Sequence, residues 1–375
     1  MVSGFLFAAD GDEHRFELTA QPDTESFGFS QAFDCDVPFD TEPPIEQHDV
    51  FRGVLTYRGV TDESAKVGFL WDQTEGRLYV DLNKDGDLTN DPNGILENEM
   101  NGSTDFQVFP AFPLSFSTPV GIFRYQVTAD MQGYQFAQRA AFSIRSGYAG
   151  QVELYGRQWN FRVTDNFQAA IGPGCTLSVF PRGDALGNQI VSLPAMQRLF
   201  LDGRCYDTAF EFRKAEAGTP VLSCILTEKE VPLAAFSLEG KWVTQLVLGT
   251  RDMLVLPELY ENAAAVFVPA LPLDVISCSL KYAADKPAIS PMTHTTPSIE
   301  FMDGHPIVLK IGGPLQNSVD IQRSGKILTF NYQLIGVGGE KYDPQQVTQY
   351  DNAKKPSVAI YKGDLQVGSG NFEYG

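Results

Sequence analysis

Basic residues are scarce in this chain. Its 28 Lys and Arg stand against 47 Asp and Glu, a formal charge of −19, and no Lys/Arg cluster offsets the excess. Nucleic acid and anionic membrane surfaces are excluded as partners, because both are bound through bases that neutralise phosphates. Cysteine is sparse too. Cys35, Cys175, Cys205, Cys224 and Cys278 are an odd set at long intervals, which excludes a disulfide scaffold, offers no zinc spacing and leaves any pairing among them open. Cys224 and Cys278 lie in apolar, strand-like runs and read as small buried hydrophobes. Cys35 sits between Asp34 and Asp36, whose charges disfavour a thiolate and argue against a nucleophile. His14, His48, His294 and His305 fall in no motif, and there is neither a GxSxG nor an HExxH. No apolar run approaches the roughly 18–20 residues of a membrane-spanning helix, so no span is expected.

What the chain does have is apolar bulk. Hydrophobic residues make up 43% of its 375 positions, enough for folded cores and too much for wholesale disorder. That length points to roughly two or three domains. Helical periodicity is rare, and short alternating runs broken by Gly, Pro, Asn and Asp dominate. The pattern predicts an all-β chain of tandem sandwich or barrel-like domains. A strand at His14–Ala20 and a Pro/acid-rich extended arm occupy residues 1–49. A β-domain follows at 50–166 and a second at 167–286. A Pro-rich linker within Asp285–Pro297 leads to a small sandwich at 298–375. Gln197–Leu201 and Cys205–Phe212 flank Asp202-Gly203, the favoured two-residue hairpin turn. Gly336-Val337-Gly338-Gly339-Glu340 reads as an ordinary loop, since neither Lys-Ser/Thr nor a helix follows to cradle a phosphate.

One stretch carries chemistry. Asp81, Asn83 and Asp85 place side-chain oxygens at positions 1, 3 and 5 of a loop with Gly86 at position 6. This is the spacing of an EF-hand-like calcium loop, in which every second side chain turns toward a cation that takes about six to eight oxygens. Gly86 supplies the sharp turn and Asp87 a backbone carbonyl. Position 12 is Pro92, so Asp91 is the natural replacement for the usual glutamate. Thr89 is placed to help directly or through water, and Glu97 and Glu99 to reach back. Arg77–Val80 is β-prone, so a strand enters the loop, and Asp91-Pro92-Asn93-Gly94 forbids an immediate helix. The competing reading is an Asp/Asn/Gly turn that uses its carboxylates only for local hydrogen bonds. Without a helix pair to open, a bound calcium would be structural rather than sensory.

Three stretches carry a resemblance: Leu78–Thr89 around the loop, Leu334–Tyr342, and the ending Gly368-Ser369-Gly370-Asn371-Phe372-Glu373-Tyr374-Gly375. Together they resemble a family of uncharacterised, exported bacterial multi-domain β-proteins. The resemblance implies secretion and an immunoglobulin-like C-terminal sandwich, and it implies no activity. Relatives of that kind often carry further Asp/Gly-rich loops. Phe161–Asn166 resembles the entry to one, but the ladder that should follow is missing. Export is also what Met1–Asp10 suggests, since its apolar end followed by small residues reads as the tail of a secretory signal without the basic start. The expected location is extracellular or at the cell surface, with the periplasm as an alternative.

These features favour a non-enzymatic, calcium-stabilised protein acting by contact: adhesion, a surface layer, a filament, or an extracellular polysaccharide as partner. Self-association through edge strands is expected from the arm around Cys35–Asp49 and the terminal strand Gln366–Tyr374. A secreted hydrolase is the alternative enzyme reading, needing paired carboxylates across a cleft. A carbohydrate-binding module is the third, with Trp71, Trp159 and Trp242 as candidates for a sugar face, although tryptophans in alternating strands are more often core.

Overall fold

The computed structural model describes residues 12–21, 39–45, 49–56, 66–99, 105–134, 137–164, 175–181, 193–194, 198–214, 218–259, 265–281, 291–293, 298–325, 327–342 and 357–371. Among these, regular structure is strand, apart from a single 3-10 turn at Pro92–Gly94. The chain is all-β and built from several sheets. Two compact units emerge, each discontinuous in sequence: Glu13–Met196 joins Thr208–Leu226, and Gln197–Asp207 joins Thr227–Gly375. The expected arm is described only at 39–45 and 49, and most of the linker lies outside the described residues.

In the unit holding Glu13–Met196, the strands Val50–Thr56, Lys66–Asp72, Arg77–Val80 and Ile95–Glu97 form an antiparallel sheet in that order. Alternation does the work here: Phe51 and Leu55 point inward from the first strand while their neighbours stay partly exposed. Strand Lys66–Asp72 is buried at every position but its first. Gly53 makes room for Phe69, whose ring a Cβ there would approach to 2.4 Å. Phe69 meets Phe142 edge to face at 4.9 Å. Phe142 belongs to the sheet of Phe106–Thr118, Gly121–Tyr134 and Ala137–Ile144.

Strand Phe106–Thr118 runs 13 residues and contains two prolines. Pro110 and Pro113 end the pattern on paper, because proline gives no ladder N–H. The strand tolerates them by lying at a sheet edge and by a register shift between Phe109 and Phe112. The turn Tyr155-Gly156 joins Gly147–Leu154 to Arg157–Thr164 with both residues at positive φ (49° and 85°), the geometry that matches strand twist. Asp202-Gly203 does the same at 51° and 74°, as the sequence leads one to expect.

The other unit is centred on an apolar cluster that includes Phe200, Phe236, Leu248, Val255, Phe301 and Tyr342. Two pairings there are parallel: Arg198–Leu201 with Met253–Leu256, and Leu233–Glu239 with Ile307–Lys310. The strands after Ser298 join three further sheets or stand apart. Ile299–Glu300 pairs with Pro272–Leu280. Gln316–Ser324, Ile327–Ile335 and Lys341–Tyr342 form a sheet that ends on Pro291–Thr293. Ser357–Lys362 and Leu365–Asn371 make a two-stranded hairpin.

Candidate metal centre

The loop begins where strand Arg77–Val80 ends, as the Asp81 side chain turns back on the chain. Asp81 is buried and accepts two backbone N–H bonds, Oδ1 from Asp85 at 3.2 Å and Oδ2 from Gly86 at 3.1 Å. Asn83 Oδ1 accepts the same Asp85 N–H at 3.0 Å. The oxygens at positions 1 and 3 therefore face one point. Asp91, also buried, closes the ring from the far end, with Oδ2 accepting N–H bonds from Leu82 at 2.8 Å and Asn83 at 3.3 Å.

Asp85 is held differently. Its Oδ2 accepts the side-chain amides of Asn83 at 3.0 Å and Asn90 at 2.7 Å, while Oδ1 accepts the Asp87 N–H at 2.9 Å. Those donors, Asn90 first, hold the Asp85 carboxyl below its ordinary value. Asp81 moves the opposite way: burial raises it, and its backbone N–H bonds only partly compensate. Asp87 caps Thr89, accepting its N–H at 2.8 Å and its hydroxyl at 2.5 Å. Lys84, at φ 64°, is the one base between Asp81 and Asp91. Its Nζ is drawn out of the loop to the Ser115 carbonyl at 3.2 Å and lies 4.2 Å from the Phe116 ring centre.

The structure thus brings Asp81, Asn83, Asp85 and Asp91 together around one turn. Thr89 is tied to Asp87, Glu97 lies 3.9 Å from Arg77 in an exposed ion pair, and the exposed Glu99 follows strand Ile95–Glu97. Among the described residues, no three His, Cys, Asp or Glu side chains converge as a metal-holding group. The carboxylates are spent on backbone and amide donors, which is the local-turn alternative in physical form. The donor set is nonetheless all oxygen and suits a hard cation, which would have to replace the Asn83 and Asn90 amides at Asp85.

Sequence reasoning missed two participants. Asn90 occupies loop position 10, which the calcium pattern leaves unassigned, yet it is the first cause of the Asp85 shift. The segment around Thr41 docks on the loop: Gly86 C=O accepts the N–H groups of Asp40 at 3.0 Å and Thr41 at 3.3 Å, and Leu88 N–H donates to Thr41 C=O at 3.0 Å. Arg52 anchors the same segment through a two-pronged bond to Glu42 at 2.8 and 2.6 Å.

The other candidates separate cleanly. Cys175, Cys205, Cys224 and Cys278 are buried and none is in a disulfide, while Cys35 lies outside the described residues. Burial pushes the Cys205 thiol up to about 11 and the Cys278 thiol up to about 12. His305 sits in an exposed turn with Nδ1 2.9 Å from the Asp303 carbonyl. His48, His294 and the second-loop entry at Asp165-Asn166 lie outside the described residues. Trp71 and Trp159 are core, with the Trp71 indole N–H donating to Gln107 at 2.7 Å, whereas Trp242 is 41% exposed. No helix among the described residues is long and apolar enough to cross a membrane, which says nothing of a β-barrel. No protein-family model matches the chain, and neither a curated protein nor a solved structure matches it significantly.

Proposed function

We propose that this is a secreted, non-enzymatic β-protein that acts by contact, at a cell surface or in a filament or lattice, with calcium stabilising the loop at 81–91. The observation that carries the contact reading is apolar surface left open on two hairpins. On the pair Gln316–Ser324 and Ile327–Ile335, Ile321 and Leu328 are exposed and Ile327 is 69% exposed. On the pair Ser357–Lys362 and Leu365–Asn371, Tyr361 and Val367 are exposed and Leu365 is 69% exposed. Among the described residues the second pair forms a sheet of its own, and an isolated two-stranded hairpin is marginal in water. Cover from another molecule would stabilise it.

Charge favours a second copy as that cover. Residues 316–335 and 357–371 hold two acids, Asp320 and Asp364, against three bases, Arg323, Lys326 and Lys362, in a chain of charge −19. Two copies can approach through either hairpin without the repulsion that the acidic remainder of the chain imposes. Pairing of a free edge with a different strand of the next copy does not close on itself, and so builds a fibre. The test is mass by light scattering across a concentration series with calcium present. Assembly that disappears in the double variant Ile327→Lys, Leu365→Lys supports the reading, and a parent protein that stays monomeric throughout removes it.

For calcium, support comes from the all-oxygen donor set and from the withdrawal of Lys84. Isothermal titration at millimolar calcium should show uptake near one ion per chain, lost in Asp85→Ala. An absence of heat in the parent protein would leave the loop as a self-capped turn.

A further inference from the structure

We infer that Trp242 is a stacking platform for a hexopyranose ring of a neutral extracellular polysaccharide. This rests on the contact reading above and names what is contacted. Four non-glycine residues among those described have positive φ. Tyr155 and Asp202 precede glycine in hairpin turns, and Lys84 lies in the 81–91 loop. Trp242, at φ 70°, has neither reason. A bulky side chain in this region is an outlier that persists only when its surroundings hold it there, and such outliers gather at ligand sites.

The surroundings are a stack of glycines. Lys241 and Gly313 exchange backbone hydrogen bonds at 2.8 and 2.9 Å, and the Trp242 carbonyl accepts the Lys281 N–H at 2.7 Å. The six-membered ring of the indole lies directly on Gly313, where a Cβ would come within 2.2 Å of it. Behind Gly313, the Gly312 N–H donates to the buried Glu340 carboxylate at 2.5 Å, and the Val337 N–H donates to the Gly312 carbonyl at 2.9 Å. A Cβ on Gly336 would come within 2.0 Å of Glu340 Oε1 and 2.8 Å of the Gly312 carbonyl. The Gly-rich stretch that reads as an ordinary loop is therefore the back support of an exposed, immobilised indole.

An indole fixed in this way loses little conformational entropy on binding, and it offers a flat apolar surface beside polar groups. A pyranose presents the complement: one face of C–H bonds and a rim of hydroxyls. Lys241, which is exposed, adjoins Trp242 in sequence, and Lys281 is tied to it through the backbone. The charge of −19 opposes a polyanionic glycan, which leaves a neutral one.

Acrylamide quenching of tryptophan fluorescence tests this directly, because Trp71 and Trp159 are buried and Trp242 is not. The probes are cellohexaose, laminarihexaose and mannohexaose, each alone with the full chain. With one of them, the quencher-accessible emission should fall to roughly half, as the indole face is covered. Trp242→Gly, which accepts the left-handed φ, should bind about tenfold more weakly or worse, and Trp242→Phe should recover part of the loss. Both variants should melt cooperatively, which separates loss of stacking from loss of fold. The inference is overturned if no oligosaccharide protects the emission, or if Trp242→Gly binds as the parent does. Should sugars fail while Trp242 becomes shielded on self-assembly, its occupant is a second copy; the platform idea falls and the contact reading survives. Failure of both experiments removes both.

Discussion

Replacing Glu340 by alanine takes the acceptor from three donors at once. The carboxylate is 8% exposed, and Oε1 receives the Gly312 N–H at 2.5 Å and the Tyr342 hydroxyl at 3.0 Å, while Oε2 receives the Gly338 N–H at 3.0 Å. A buried donor left without a partner costs about 1–3 kcal/mol, so the simple sum is roughly 3–9 kcal/mol. Water entering the vacated space will satisfy some of the donors, so about 3–5 kcal/mol, the lower half of that sum, is the expected loss. Against a domain stability of about 5–15 kcal/mol this is a large fraction. At about 2–4 °C per kcal/mol for a unit of this size, the melting temperature should drop by roughly 6–20 °C. Glu340→Gln keeps the volume and one acceptor oxygen but turns an NH2 toward a donor, so it should fall between parent and alanine. Urea denaturation followed by tryptophan emission measures both variants, with calorimetry as the check on cooperativity. An alanine variant within about 1 kcal/mol of the parent would refute the claim that this carboxylate holds the Gly312 and Gly338 backbone in place.

Other consequences are simpler to measure. Calcium at millimolar concentration should raise the melting temperature through binding to the folded state alone, magnesium should do so less, and Asp85→Ala should abolish the shift. Arg52 lowers the Glu42 carboxyl, mainly through the side-chain hydrogen bond. The stability from this pair is complete above the unfolded carboxyl value and is lost as pH falls through the folded one. It is worth only about 0.5–1 kcal/mol because both groups are partly exposed; Glu42→Gln should flatten that part of a pH–stability curve and leave pH 7 little changed beyond that amount. The Cys205 and Cys278 thiols, raised to about 11 and about 12 by burial, should ignore a disulfide reagent at pH 8 until denaturant is added. Gly53→Ala drives a methyl to 2.4 Å from the Phe69 ring, and should cost about 1–3 kcal/mol by overpacking.

The all-β character was legible because the signals are local. Alternation placed Arg77–Val80 at its observed bounds and His14–Ala20 within one residue of the strand Glu13–Gln21, and turn chemistry placed the Asp202-Gly203 hairpin where it stands. Partnership was not legible. Nothing in Leu233–Glu239 says that it will lie parallel to Ile307–Lys310, more than sixty residues on. Such pairings are decided by which apolar faces remain uncovered once local hairpins have formed, a property of the collapsed chain rather than of any window in it.

The two candidate sites differ in the same respect. The loop at 81–91 announces itself because its oxygens are spaced for a cation within eleven consecutive residues, and the observed turn does gather Asp81, Asn83, Asp85 and Asp91. The same spacing equally satisfies backbone donors, so the pattern alone does not separate a cation cage from a self-capped turn, and Asn90 shows how one amide outside the pattern tips the balance at Asp85. The seat of Trp242 is assembled from residues 240–243, 312–313 and 336–340, three short stretches that sequence reading treats as strand edges and an ordinary loop. Gly240 and Gly313 are each forced by an atom arriving from another stretch: the Ile311 C=O at Gly240 and the Trp242 ring at Gly313. A glycine explained by a distant neighbour leaves no local signature beyond its presence. That is why an exposed indole at φ 70°, rather than the motif with the stronger spacing, is the feature of this chain that only the fold could bring out.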